Sequence, residues 1–68
     1  MQRQPTDTLP TLLRPDAVAA MLGISLDTVQ RWRTEGKGPP AVYLTPRTIR
    51  YRLDAVEAWA KMNEEVRP

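Results

Sequence analysis

The sequence predicts a mostly helical fold with a small β-hairpin, in the order helix, helix, two-stranded wing, helix. Three observations predict it. Residues 15–22 and 26–35 carry apolar side chains at helical spacing and are separated by Gly23. Residues 41–44 and 48–52 alternate with period two on either side of Thr45-Pro46-Arg47. Residues 54–64 return to helical spacing. Two short helices joined through a glycine, with hydrogen-bonding side chains near the start of the second and a hairpin behind them, make a winged helix-turn-helix.

Each element has a local reason. Residues 1–10 are polar, contain Pro5 and Pro10 and show no periodicity, so a flexible arm is expected there. The folded domain is expected over residues 11–65, with Leu12 or Leu13 packing on the core. Pro15 suits a first helical position, where its missing N–H costs nothing, and Asp16 complements the helix dipole. Val18, Met21 and Leu22 form the expected buried stripe, and Gly23 suits a left-handed stop. Ser25 is a good N-cap for the second helix, whose core side carries Val29 and Trp32. Gly36-Lys37-Gly38-Pro39-Pro40 ends it. In the hairpin, Val42 and Leu44 are expected to face the same way as Ile49 and Tyr51, with Arg50 and Arg52 on the other face. Val56, Trp59 and Met62 mark the core side of the last helix, and Glu57 with Lys61 forms an i, i+4 pair. Residues 66–68 are expected to fray.

Composition narrows the chemistry. A chain of 68 residues makes one small domain, burying only roughly 60% of its unfolded surface. It has neither cysteine nor histidine, which removes disulfides, thiolate metal sites and the commonest general base. There is no nucleophile motif, glycine-rich phosphate loop or metal-ligand cluster. No catalytic activity, cofactor or metal is expected. No apolar stretch approaches a membrane span, and a cytoplasmic protein is the expectation. The net charge is only +2, but its distribution is uneven. Arg31, Arg33, Lys37, Arg47, Arg50 and Arg52 face only Glu35 across the middle of the chain. From Leu53 onward, Lys61 and Arg67 are outnumbered by Asp54, Glu57, Glu64 and Glu65. A focused basic patch is what a polyanion needs.

The second helix therefore reads as a candidate for the DNA major groove, with Ser25, Asp27, Thr28, Gln30 and Arg31 presented near its start. Arg31 can donate two hydrogen bonds to guanine, and Gln30 can pair with adenine. Asp27 can accept from cytosine or orient Arg31 one turn away. Thr28 can bond a phosphate or touch a thymine methyl. The Ser25 cap exposes helix N–H groups to a phosphate. A plain surface ion pair between Asp27 and Arg31 is the competing reading. Arg47 on a proline-stiffened turn suits a narrow minor groove, against an ordinary exposed turn residue. Arg33, Lys37, Arg50 and Arg52 are placed for the phosphate backbone, supplying affinity rather than sequence reading. Trp32 and Trp59 read as core residues rather than base-stacking platforms.

The run Ser25-Leu26-Asp27-Thr28-Val29-Gln30-Arg31-Trp32 followed by Gly38-Pro39-Pro40 resembles the lambda-type phage excisionase family. The chain is also similar to the related AlpA-type and MerR-like small winged-helix regulators. Arg50-Tyr51, Asp54 and Val56-Glu57-Ala58-Trp59 continue the likeness, which extends from Leu12 to about Met62. The resemblance implies that Asp27, Thr28 and Arg31 read the major groove and that Arg47 enters the minor groove. Where that family commonly has a basic residue just before the arginine matched by Arg31, this chain has Gln30, and in place of the usual glycine-containing wing turn it has Thr45-Pro46-Arg47. It further implies an architectural role without bond chemistry: copies bind adjacent sites on double-stranded DNA head to tail, bend it, and help an integrase excise a prophage. A small AlpA-type transcriptional regulator is the alternative. A protein-interaction module using the acidic last helix, without DNA binding, is a second.

Overall fold

The computed structural model describes residues 11–65; the expected arm at 1–10 and tail at 66–68 lie outside them. The elements run β1 (Leu12–Leu13), α1 (Pro15–Leu22), α2 (Leu26–Thr34), β2 (Val42–Thr45), β3 (Thr48–Arg52) and α3 (Leu53–Met62). This is the winged helix-turn-helix that the sequence predicts, with one strand more. The strand order is β1-β3-β2, all antiparallel. Leu13 pairs with Tyr51 and Leu12 with Arg52, and the Leu53 N–H donates to the Thr11 carbonyl at 2.8 Å. A two-residue strand is too short to show alternation, so β1 has no periodic signature in the sequence.

Both short helices end in the same way. Gly23 sits at φ 70° and ψ 33°. Its N–H bonds the Ala20 carbonyl, and the Ile24 N–H bonds the Ala19 carbonyl. Gly36, at φ 72°, repeats the pattern: its N–H bonds Arg33, and Lys37 bonds Trp32 at 2.7 Å. These paired bonds close the last turn on carbonyls that would otherwise lack partners. Ile24 then turns in against the core. The α1–α2 turn is thereby short and fixed. The third helix starts at Leu53 and stops at Met62, not Glu64, because the Asn63 side-chain amide donates to the Trp59 carbonyl at 2.8 Å.

The core is Val18, Ala19, Val29, Ile49, Tyr51 and Val56, with Leu13, Leu22, Ile24 and Ala41 packed on it. Three expectations about packing are corrected. Ala19 rather than Met21 completes the α1 stripe, and Met21 and Met62 are exposed. In the hairpin, Val42 faces Arg50 and Tyr43 faces Ile49, so Val42 does not share the Ile49–Tyr51 face. The register then shifts by one residue, since Thr45 pairs with Thr48 and leaves Leu44 as the extra residue of a bulge. Leu44 is exposed. Trp32 and Trp59 are half-buried and lie outside the core cluster. They pack on each other, with ring centroids 5.7 Å apart and planes at 52°, and seal the junction of α2 with α3. Glu57 and Lys61 do not pair with each other, whereas Arg14–Asp16, Lys37–Glu35 and Arg52–Asp54 do, all solvent-exposed.

The loop after α2 is held against Trp32. Gly38 has φ 79°, and a Cβ there would meet Trp32 Cε3 at 3.0 Å and Trp32 Cβ at 3.3 Å. Gly36 has a similar φ but nothing within 4 Å. Gly36→Ala is therefore expected to cost about 1 kcal/mol, the backbone penalty alone, and Gly38→Ala about 2–3 kcal/mol, with overpacking added. Urea denaturation of both variants measures the difference; equal losses would contradict the role of the indole contact.

Burial pushes the Tyr51 hydroxyl above the ordinary tyrosine range, opposed by the nearby Arg33 guanidinium. Above pH ~10 the unfolded chain gives up this proton before the folded one does, so the stability linked to it falls as pH rises. Thermal denaturation at a series of pH values should show a flat response of this group below that range and a decline above it. Tyr51→Phe is expected to make the decline shallower; an unchanged slope would remove Tyr51 as its source.

Candidate nucleic-acid interface

The start of α2 is built by its cap. The Ser25 Oγ accepts from the Thr28 N–H at 3.1 Å and lies 2.8 Å from Thr28 Oγ1. This satisfies one orphan N–H and ties down the Thr28 hydroxyl. With Val29 turned into the core and Trp32 half-buried, the 100° step of the helix puts Asp27, Gln30, Arg31 and Thr34 on the outer side. Asp27, Gln30 and Arg31 are all exposed. Asp27 and Arg31 do not form the ion pair that their spacing permits, so both side chains stay available on successive turns. Thr34 bonds back to the Gln30 carbonyl at 3.0 Å and leaves the Gln30 amide unoccupied by it.

The wing stands beside this helix. An open concavity of about 330 Å³ is lined by Leu26, Gln30 and Arg33 from α2, by Arg47, Ile49 and Arg50 from the wing, and by Arg14, Pro15 and Asp16 at the start of α1. Four arginines thus surround one hollow with a single carboxylate among them. Such an arrangement concentrates positive potential between a helix and a hairpin. Arg14 is the lining arginine that the sequence reading missed, since it lies outside the basic middle of the chain. Its place next to Pro15, at the N-terminus of α1, is the signal that could have found it.

The wing tip is rigid. Thr45 Oγ1 accepts from the N–H groups of Arg47 at 3.2 Å and Thr48 at 2.9 Å, and donates to Thr48 Oγ1 at 2.9 Å. Pro46 presets φ between them. Arg47 is exposed at the end of this turn. The other basic residues differ in freedom. Arg50 is half-buried and donates to the Ile49 carbonyl at 2.8 Å. Arg52 makes a two-pronged contact with Asp54, at 2.8 and 3.2 Å, which holds that carboxyl below the ordinary range. Lys37 pairs loosely with Glu35 at 3.6 Å. Arg33 is half-buried and donates to Tyr43 Oη at 3.3 Å, with its guanidinium carbon 5.8 Å from the Tyr43 ring centroid. Asp27, Gln30, Arg31 and Arg47 are thus left with free side-chain ends, while Arg33 and Arg52 are engaged.

Among the described residues, no group of acidic side chains is placed to hold a metal ion, and no helix is long and apolar enough to cross a membrane. This fold and this basic hollow define a helix-turn-helix protein of the winged type. The chain belongs to the helix-turn-helix domain family, whose model matches residues 12–64, from β1 to just past α3. Membership of that family points to binding of double-stranded DNA, in a family that is typically non-enzymatic. No curated protein matches the chain.

Ser25→Ala is expected to cost about 1 kcal/mol through the lost cap, and Ser25→Asp to restore it. Denaturant midpoints of the two variants check this, and a stable alanine variant would show that the cap bond contributes nothing.

Proposed function

We propose that this protein is a sequence-specific DNA-binding and DNA-bending protein that acts as a phage excisionase. The observation that carries the reading is the pairing of an exposed Asp27–Gln30–Arg31 surface on α2 with a basic hollow that ends at Arg47 on a stiff wing tip. In this reading α2 lies in the major groove. Arg31 reads guanine, Gln30 adenine, and Asp27 cytosine or the set of Arg31. Ser25 and Thr28 meet the phosphate at the helix start. Arg47 enters the minor groove, while Lys37, Arg50 and Arg52 follow the backbone.

Bending follows from neutralising phosphates on one face and from wedging the wing into the groove. Family membership supports DNA binding, and the resemblance of residues 12–62 to the excisionases supports the rest. The protein works in the cytoplasm, on DNA next to an attachment site. Copies contact one another head to tail, a contact that does not close on itself. An integrase, recruited to the bent complex, carries out the bond chemistry.

A footprint across the attachment sites and nearby promoters tests this. Several closely spaced direct repeats protected at an attachment site, with sharp bending, is the expected result. Protection confined to a promoter would instead assign a transcriptional regulator. Affinity should fall by about one log unit per log unit of salt for each phosphate neutralised; salt-insensitive behaviour would leave only a protein-interaction role. Arg31→Ala should cost about 1–3 kcal/mol and relax sequence preference. Arg47→Ala should chiefly reduce the bend, and a full-sized bend in that variant would remove the wing from the mechanism.

A further inference from the structure

Arg33 is placed by its position in the sequence among residues for the phosphate backbone, but its surroundings differ from those of the other cations. It lies one turn on from Gln30, on the side of α2 that turns toward the wing, and forms part of the wall of two separate hollows. One is the basic concavity shared with Gln30, Arg47 and Arg50. The other, of about 230 Å³, lies under the Gly36–Pro40 loop and is shared with Tyr43. Arg33 therefore borders both. Its guanidinium donates to Tyr43 Oη and approaches the Tyr43 ring, which ties α2 to β2. Tyr51, on β3, lies close enough to feel the same charge. Tyr43 in turn faces Ile49 across the hairpin, so the tie reaches both wing strands.

We propose that Arg33 is a positioning residue for DNA recognition: through Tyr43 it sets the angle between α2 and the wing, and so the offset between major-groove reading and minor-groove entry. This rests on the DNA-binding reading above. Two groups that engage one duplex at once act as linked binding modules, and their joint affinity depends on how well their separation is preset. A planar guanidinium can donate to a hydroxyl while lying near an aromatic ring. A lysine ammonium cannot reproduce that geometry, though it carries the same charge to a phosphate. This difference separates positioning from phosphate binding.

The test uses the full chain and a duplex carrying the sequence protected in the footprint, with Arg33→Lys, Arg33→Met and Tyr43→Phe compared with wild type. Failure of the wild type to protect any sequence would overturn the DNA-binding reading itself. If wild type binds and bends, Arg33→Lys and Arg33→Met are expected to lose about tenfold in affinity. They should also lose most of the bend and the wing-side protection. Base preference at the α2 contacts should stay, and the slope of log affinity against log salt should stay within about 0.3 of wild type. Tyr43→Phe keeps the ring and removes the hydroxyl, so it should move the bend the same way by a smaller amount, in a variant expected to fold. The proposal is overturned if Arg33→Lys restores wild-type behaviour while Arg33→Met lowers the salt slope by about one, the mark of a lost phosphate contact. It is equally overturned if the bend and wing protection survive in all three variants.

Discussion

Everything in this domain is organised around β3. It is the middle strand of the sheet, with β1 on one side and β2 on the other. Its two inward side chains, Ile49 and Tyr51, sit in the core cluster with residues from α1, α2 and α3. Tyr51 is only 1% exposed and is the largest of the fully buried side chains. A domain of this length has few buried residues to share among three helices and three strands, so one strand must serve them all. A tyrosine suits that place. Its ring supplies apolar area, and its hydroxyl lies within electrostatic reach of Arg33. Alternate residues of the same strand, Arg50 and Arg52, point outward. The strand that anchors the core thus also delivers charge to the surface, and both Ile49 and Arg50 line the basic hollow.

Most of the helical part was legible because local chemistry announces it. Pro15 opens α1, Gly23 and Gly36 close the first two helices, and Ser25 caps α2; the boundaries of α1 match the expected residues 15–22. The wing was legible as a hairpin but not in its register. Counting by twos predicts Val42 and Leu44 on the core face, but the extra residue at Leu44 offsets the two strands. A one-residue slip exchanges the faces of a strand, and no pattern inside β2 reports a bulge that depends on its partner. Trp32 and Trp59 were legible as packing residues but not as a pair at the rim, since their contact joins α2 to α3 across 27 positions of sequence.

The candidate site shows the same division. That Asp27, Gln30 and Arg31 lie on the outer side of α2 follows from helical geometry and the Val29–Trp32 stripe alone. That Arg14 joins the arginines of the wing depends on how α1 crosses α2, which is a tertiary fact. The engagement of Arg33 by Tyr43, ten residues away, has no periodic signature. Charge counting treats all cations of the middle segment as equivalent. The structure divides them into those with free ends and those already bonded within the protein.

The Leu44 bulge has one more consequence. A three-stranded sheet presents two outer strands whose backbone groups could pair with another chain. Here β1 is only two residues long, and β2 is bracketed by Pro40 and Pro46 and irregular at Leu44. Short length, flanking prolines and a bulge are the devices by which outer strands are kept from accepting a foreign one. An outer strand of one molecule therefore offers little for an outer strand of another to pair with, and each sheet stays closed.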